Sequence, residues 1–320
     1  MQVHRDINNL PLFKNAVVTI GTFDGVHTGH LRIISQLKEE AEKISGTSVI
    51  ITFEPHPRTI LSPGSHLKLL NTLDEKIRLL EKQGIDDLVV VDFTKEFSEQ
   101  PAEEYIKKFL VKKFHPHTVI IGYDHHFGKA RKGNYKLLEA YSDRCNYTVK
   151  EIPEHILNQV TISSTKIRDA ILNCDIATAN KYLGYDYFFE GEVVEGDKLG
   201  RTLGYPTANL QIKDEYKLVP ADGVYAVSVS IGNGQLAMGN RQSAMGNGEY
   251  TGMMSIGVRP TIGNSQRAIE VNIFDFSENI YGETVRVCVK RFLREQKKFK
   301  DLDALKDAIA NDKIETLKFV

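Results

Sequence analysis

Between Ala16 and about Ile171 the chain alternates short, unbroken apolar runs with helical patterns, and no other feature limits its possible folds so sharply. The strand-like runs are Ala16–Ile20, Ser48–Phe53, Asp87–Asp92 and Thr118–Gly122, and helical spacing appears over Leu31–Leu37, Thr72–Gln83 and Ala102–Phe109. A strand with one wet face alternates polar and apolar residues, whereas Val49-Ile-Ile51 and Leu88-Val-Val-Val91 do not. Such strands are buried on both faces, which predicts an α/β, Rossmann-like domain: a parallel sheet with helices on both faces. Ligands of open parallel sheets lie beyond the carboxyl ends of the strands. Three polar segments leave those ends, Thr22–His30, Glu54–Arg58 and Tyr123–Gly133, and they are expected to converge on one crevice.

After Tyr185 the pattern changes. Phe188–Val194, Gly223–Ile231, Gly252–Val258, Glu270–Asp275 and Glu283–Phe292 read as short strands divided by Gly, Pro and Asn, the spacing of a compact antiparallel β-barrel. A linker is expected near residues 182–187, dividing the 320 residues into domains 1–183 and 184–320. Residues 232–249 repeat Met-Gly-Asn at 238–240 and 245–247 and read as a long hairpin loop without chemistry. Leu302, Leu305, Ile309 and Leu317 predict a final amphipathic helix covering the barrel.

With 41 basic and 42 acidic residues the net charge is -1, so the chain has no global attraction for nucleic acid or an anionic membrane. No apolar run approaches the roughly 20 residues of a membrane span, and the amino terminus lacks a signal-peptide pattern, so a cytoplasmic protein is expected. Cys145, Cys174 and Cys288 form no C-x-x-C pair, which argues against a disulfide framework or a thiolate zinc site.

The segment Gly21–His30, GTFDGVHTGH, carries the first concentration of chemistry. It joins a buried strand to a helix, where unpartnered N–H groups and the positive end of the helix dipole attract an anion. His27 and His30 share a face of the first turn, and an imidazole near the α-phosphate of ATP can donate to oxygens whose charge grows as pyrophosphate leaves. Gly21, Gly25 and Gly29 leave room for close approach of backbone to phosphate. Asp24 either holds the turn or contacts ribose or metal. Zinc ligation is the rival for the histidines, but H-E-x-x-H spacing and a third ligand are not evident.

This segment resembles the G-x-F-D-x-x-H-x-G-H signature of the nucleotidylyltransferases, with Phe23 at its aromatic position. Ile162-Ser-Ser-Thr-Lys-Ile-Arg168 resembles the family's second motif, I-S-S-T-x-I-R. Ser163, Ser164 and Thr165 are helix-cap residues able to face an anion, and Arg168 carries a fork of donors suited to the β- and γ-phosphates. Between the two, GYDHHFGKARKG resembles a segment of the flavin-specific branch, which makes Asp124 a nucleotide and flavin contact and Phe127 a flavin contact. At His125 the branch more often has Phe. The cluster Lys129-Ala-Arg131-Lys132 is too small, in a chain of balanced charge, to indicate nucleic-acid binding.

In the second half, Gly200-Arg-Thr-Leu-Gly204-Tyr-Pro206-Thr-Ala-Asn209 places Thr207 and Asn209 two apart, on one face of an extended chain. Their hydroxyl and amide oxygens are hard ligands suited to Mg²⁺ shared with ATP phosphates. Ile269, Val271 and Ile273 alternate with Glu270 and Asn272, the pattern of a half-buried strand whose Glu270 either faces water or acts. Together with Pro220–Tyr225, Ile256–Thr261 and Ile269-Glu-Val271, the glycine-bounded segment resembles riboflavin kinase. The resemblance makes Glu270 the base, Gly200, Gly204 and Pro206 nucleotide contacts, and Arg291 and Arg294 candidates near the flavin phosphate.

In this order, the two resemblances imply the bacterial bifunctional riboflavin kinase/FAD synthetase family, with riboflavin, FMN, FAD and ATP as ligands and Mg²⁺ as cofactor. Two rivals remain: a nucleotidylyltransferase for another substrate with an accessory flavin module, and a flavin sensor or store with degenerate catalysis. The second would lack at least one of His27, His30, Arg168, Thr207, Asn209 and Glu270, and all are present.

Overall fold

The structure, a computed structural model, describes residues 1–62, 64, 66–152, 162–196, 199–232, 248–258 and 267–319. The expected loop at 232–249 falls almost wholly outside them, as do Arg259, Pro260 and Thr261. The chain divides into two compact units, Met1–Ser164 and Thr165–Val320.

In the first unit six parallel strands form one sheet: β1 (Gln2–His4), β2 (Val17–Ile20), β3 (Ser48–Glu54), β4 (Asp87–Asp92), β5 (Thr118–Gly122) and β6 (Thr148–Ile152), in the order β1-β4-β3-β2-β5-β6. The four expected strands form its centre, and every residue of β2 is buried. The edge strands β1 and β6 escaped the sequence reading: one has three residues and the other, Thr-Val-Lys-Glu-Ile, is half polar. The chain runs from β2 through β3 to β4 on one side and then crosses to β5 on the other, so the order reverses at β2. Beyond the strand ends, such a switch point opens the crevice in which α/β sheets bind ligands. The predicted helix at 102–109 is longer and wider: Ala102–Glu104 opens into a π-helical stretch, Tyr105–Val111, that buries Tyr105, Ile106, Phe109 and Leu110.

The second unit is a closed antiparallel barrel of β7 (Phe188–Val194), β8 (Ala208–Gln211), β9 (Gly223–Ile231), β10 (Glu249–Val258), β11 (Arg267–Ile273) and β12 (Thr284–Arg294), in the order β10-β11-β8-β7-β12-β9. Closure leaves no exposed sheet edge. Its interior polar groups are satisfied: the hydroxyls of Tyr187 and Tyr225 donate to the carbonyls of Leu218 and Ala221, each at 2.6 Å. The helix Ile176–Leu183, on the amino-terminal side of the expected linker, belongs to this unit. Its Asn180 donates to Asp186 and to the Val289 carbonyl, both at 2.9 Å, and accepts from the Tyr187 N–H at 2.8 Å.

The carboxyl-terminal helix, Leu302–Thr316, packs on β9, β10 and β12 as expected, with Leu305 and Ile309 half-buried on the face it shares with Asp312 and Thr316. Leu302 and Leu317 are 60% and 56% exposed, and the buried residues are Asp312 and Thr316. Asp312 receives the Arg294 guanidinium through Nε at 2.9 Å and Nη2 at 2.8 Å. This largely buried, two-pronged ion pair fixes the helix. Asp312→Ala should therefore destabilise the barrel by about 2–4 kcal/mol, less than for a fully buried pair because Arg294 is partly exposed; thermal unfolding followed by circular dichroism would show no shift if the pair were incidental.

Candidate active sites

At the end of β2 the chain makes a turn that costs backbone freedom. Phe23 and Val26 adopt positive φ angles of 49° and 35°, and Gly25 lies at 87°. Non-glycine residues hold such angles only where their surroundings impose them. Here the buried Asp24 carboxylate accepts from the backbone N–H groups of Leu70 at 2.9 Å and Asn71 at 3.4 Å. The Asp24 carbonyl accepts from the Ser164 hydroxyl at 2.9 Å, and the Thr22 carbonyl from Thr52 at 3.2 Å. Of the two readings of Asp24, the structure supports the one in which it holds the turn.

The turn feeds α1 (Thr28–Lys43), whose cap residue, His27, makes no side-chain capping bond and whose first turn holds no acidic residue. The amino end of the helix thus keeps its pull on an anion. His27 and His30 stack with ring centroids 3.7 Å apart and planes 17° from parallel, and Phe23 lies 5.0 Å from His30. A Cβ on Gly29 would stand 3.1 Å from His27 Nδ1, so this glycine also makes room for an imidazole. The Nδ1 atom of His30 is buried without a hydrogen-bond partner. Burial first, then His27 and Lys76, push the His30 pKa well below the usual imidazole value, so the ring is neutral at physiological pH.

Lys76 is the residue that sequence reasoning missed. It lies on α3 (Leu73–Glu81), is 5% exposed, and donates to Thr52 Oγ1 at 3.5 Å. A helical lysine normally reads as a solvated charge, so only the three-dimensional structure reveals it.

The loop after β5 closes on itself through reciprocal backbone bonds between Phe127 and Gly133, at 3.1 and 2.9 Å. Asp124 is exposed, as a ligand contact requires. Phe127 is placed differently from the expectation: 7% exposed, it stacks on the buried Tyr105 at 4.8 Å and belongs to the core of the sheet. A Cβ on Gly133 would fall 2.4 Å from its ring, so the loop is built around it. The His125 ring lies 5.9 Å from Phe127, and burial lowers its pKa to about 4. In the second motif, Arg168 is buried on the helix Ser164–Leu172, with Nη2 donating to Thr165 Oγ1 at 3.4 Å.

In the barrel, pairing register sets the neighbours of Glu270. Glu270 of β11 stands opposite Asn209 of β8, and Val271 opposite Ala208. Directly paired residues of antiparallel strands project to one side, so Glu270 and Asn209 are neighbours. Asn272, two residues on, is buried and donates to the Pro206 carbonyl at 2.6 Å, which fixes the start of the Pro-Thr-Ala-Asn segment. Tyr205 N–H returns to the Gly200 carbonyl at 2.9 Å, and Gly204 has a φ of 86° that a side chain would resist. A Cβ on Gly196 would fall 2.1 Å from the Asn209 amide, and one on Gly200 would fall 3.3 Å from the Thr207 hydroxyl. Backbone therefore packs directly against both proposed metal ligands. Arg291 and Arg294 turn elsewhere: the Arg291 guanidinium lies 4.2 Å from the Phe319 ring, and Arg294 is held by Asp312. That pairing argues against the expected place of Arg294 near a flavin phosphate.

A histidine-bearing turn at a sheet's switch point and a barrel that sets a carboxylate opposite an amide are the arrangement of an enzyme with two sites. The family model of FAD synthetase matches residues 11–166, and that of riboflavin kinase matches residues 183–320. Over 319 residues the chain is 36% identical to the bifunctional riboflavin kinase/FMN adenylyltransferase of Haemophilus influenzae, covering 99% of this chain and 98% of that one. Over 321 residues it is 32% identical to the protein of the same name from Escherichia coli K12, covering 100% and 98%. The fold also matches, with a TM-score of 0.86 and 32% identity, the crystal structure of a protein from Streptococcus pneumoniae described as a macrolide-efflux protein, over 100% of this chain and 99% of that one. No described helix here is long and apolar enough to cross a membrane. The chain belongs to the bifunctional riboflavin kinase/FMN adenylyltransferase family, and has both activities.

The Asn272–Pro206 bond predicts a separable defect. Asn272→Ala should slow FMN formation from riboflavin by about tenfold or more, by loosening Thr207 and Asn209, and leave FAD formation from supplied FMN unchanged. Chromatographic separation of the two products tests this; equal loss of both would mean general misfolding.

Proposed function

We propose that the two activities rest on the residues just described, within catalytic domains 1–183 and 184–320. In the barrel, riboflavin and ATP give FMN and ADP. Glu270 accepts the proton of the ribityl 5′-hydroxyl as that oxygen attacks the γ-phosphorus, and ADP departs. The observation that carries this reading is the register placing Glu270 beside Asn209. Thr207 and Asn209 would hold Mg²⁺: their oxygens are hard, and glycine backbone on both leaves them little freedom to turn away. When bound, the ion offsets phosphate charge. Gly200, Gly204 and Pro206 shape the nucleotide's side of the site.

In the amino-terminal domain FMN and ATP give FAD and pyrophosphate. An FMN phosphate oxygen attacks the α-phosphorus, and the bond to the β-phosphate bridge breaks. His27 and His30 donate to the α-phosphate oxygens as charge builds, at the uncapped end of α1. The turn from Gly21 through Phe23, Asp24, Gly25 and Gly29 brings backbone to the phosphates. Ser163, Ser164, Thr165 and Arg168 receive the departing pyrophosphate, as the second motif implies. Asp124 contacts the ligands directly, while Phe127 supports the loop from the core. ATP as shared co-substrate favours a cytoplasmic setting.

His30→Ala should slow FAD formation by about 10²–10³ with FMN formation intact, the usual effect of losing one transition-state donor. An unchanged rate of FAD formation would remove the histidines from the mechanism. Glu270→Gln should slow riboflavin phosphorylation by roughly 10²–10⁴ while supplied FMN is still adenylylated. If FMN still forms at the original rate, Glu270 is not the base.

A further inference from the structure

Lys76 has no place in the motifs, yet it is 5% exposed within the unit that carries the histidine pair. A position so buried on an amphipathic helix ordinarily holds Leu or Met, since taking an ammonium out of water is unfavourable. Its one hydrogen bond among the described residues, to Thr52 Oγ1, is long at 3.5 Å. The same hydroxyl donates to the Thr22 carbonyl at 3.2 Å, so Lys76, Thr52 and Thr22 form a chain from α3 through β3 into the histidine-bearing turn. The charged and titratable groups acting on this cluster come from every side of it: Asp24 on the turn, Glu54 at the end of β3, and His27 and His30 at the start of α1.

We propose that Lys76 is a positioning residue for adenylyl transfer: anchored on Thr52, it braces the turn bearing His27 and His30 and holds a fixed positive charge beside that pair, where the nucleotide's phosphates are to bind. The inference rests on the reading of His27 and His30 as the adenylyl-transfer site. Burial lowers the Lys76 pKa from the ordinary lysine value, and Asp24 and Glu54 oppose that shift in favour of the ammonium. Its charge opposes protonation of His30, after burial and His27. His30 therefore meets the nucleotide as an imidazole whose protonation is disfavoured, and the incoming phosphates meet Lys76 as a preset cation in a site of low dielectric.

The test uses the full chain with selectively labelled histidine, the His30 resonance being assigned by its loss in His30→Ala. In Lys76→Met the His30 titration midpoint should rise by about half a pH unit or more, and FAD formation should fall by about tenfold or more. FMN formation should be unchanged. Lys76→Arg keeps the charge and should keep the midpoint low. Thr52→Val frees the ammonium without removing it, and should slow FAD formation while leaving the midpoint in place. An unmoved midpoint in Lys76→Met, or an equal rise in Lys76→Arg, overturns the role of the charge. If His30→Ala loses FAD formation but Lys76→Met does not, the proposal for Lys76 fails alone; if His30→Ala retains it, the reading of the site fails as well.

Discussion

A carboxylate buried to 2% exposure must find donors, and Asp24 finds them in the backbone of Leu70 and Asn71. Without them the charge would lose part of the compensation that its burial requires. The pairing ties the turn after β2 to the segment that leads into α3, two parts of the chain 46 residues apart. Around that tie the other features fall into place. The positive φ angles of Phe23 and Val26 are tolerated because the turn is held at Thr22 and Asp24, and the first turn of α1 is thereby aimed without a side-chain cap from His27. The proposed anion site thus depends on a buried carboxylate that itself need never touch the anion.

Register plays the corresponding part in the barrel. A slip of one residue between β8 and β11 would turn Glu270 to the opposite face from Asn209. The slip is opposed from two directions: Ile269, Val271 and Ile273 are buried on the apolar side, and Asn272 is bonded to Pro206 on the polar side. The same strand therefore supplies core and chemistry, and the core sets the chemistry's alignment.

How much of this was readable in the sequence depends on how local each cause is. The central strands were legible because burial on both faces forces a continuous apolar run, and Phe188–Val194 and Gly223–Ile231 agree with the structure to the residue. Strand β8 was read only as part of a motif, because four residues of Ala-Asn-Leu-Gln carry no period of their own. Phe127 looked like a ligand contact because its motif is functional, but its burial is decided by Tyr105 and Gly133, which periodicity cannot bring together. The carboxyl-terminal helix offered its leucines as the obvious contact face. Leu305 and Ile309 are half-buried on that face, and the Arg294–Asp312 pair, joining residues 18 apart, adds to it a polar contact that the apolar pattern could not show. Lys76 and Asn272 were hidden for the same reason, since polar residues at regular spacing read as solvated until the partners that bury them are known.

The two sites meet ATP with different chemistry because their reactions place charge differently. Adenylyl transfer accumulates negative charge on the α-phosphate oxygens and the departing pyrophosphate, and the groups proposed to act there are donors: imidazoles, helix N–H groups and a buried cation. Phosphorylating a hydroxyl also demands a group that takes a proton from an alcohol, and that requires a carboxylate with oxygen ligands beside it. Neither arrangement would serve the other reaction. The turn's own carboxylate, Asp24, is already engaged by backbone N–H groups that hold the turn. The β8–β11 pair presents Glu270 and Asn209 at its centre, a carboxylate where an oxyanion at that position would need donors. Joining the two reactions in one chain therefore called for two folds rather than one adaptable site, and the change from buried parallel strands to a closed antiparallel barrel is that requirement expressed in the sequence.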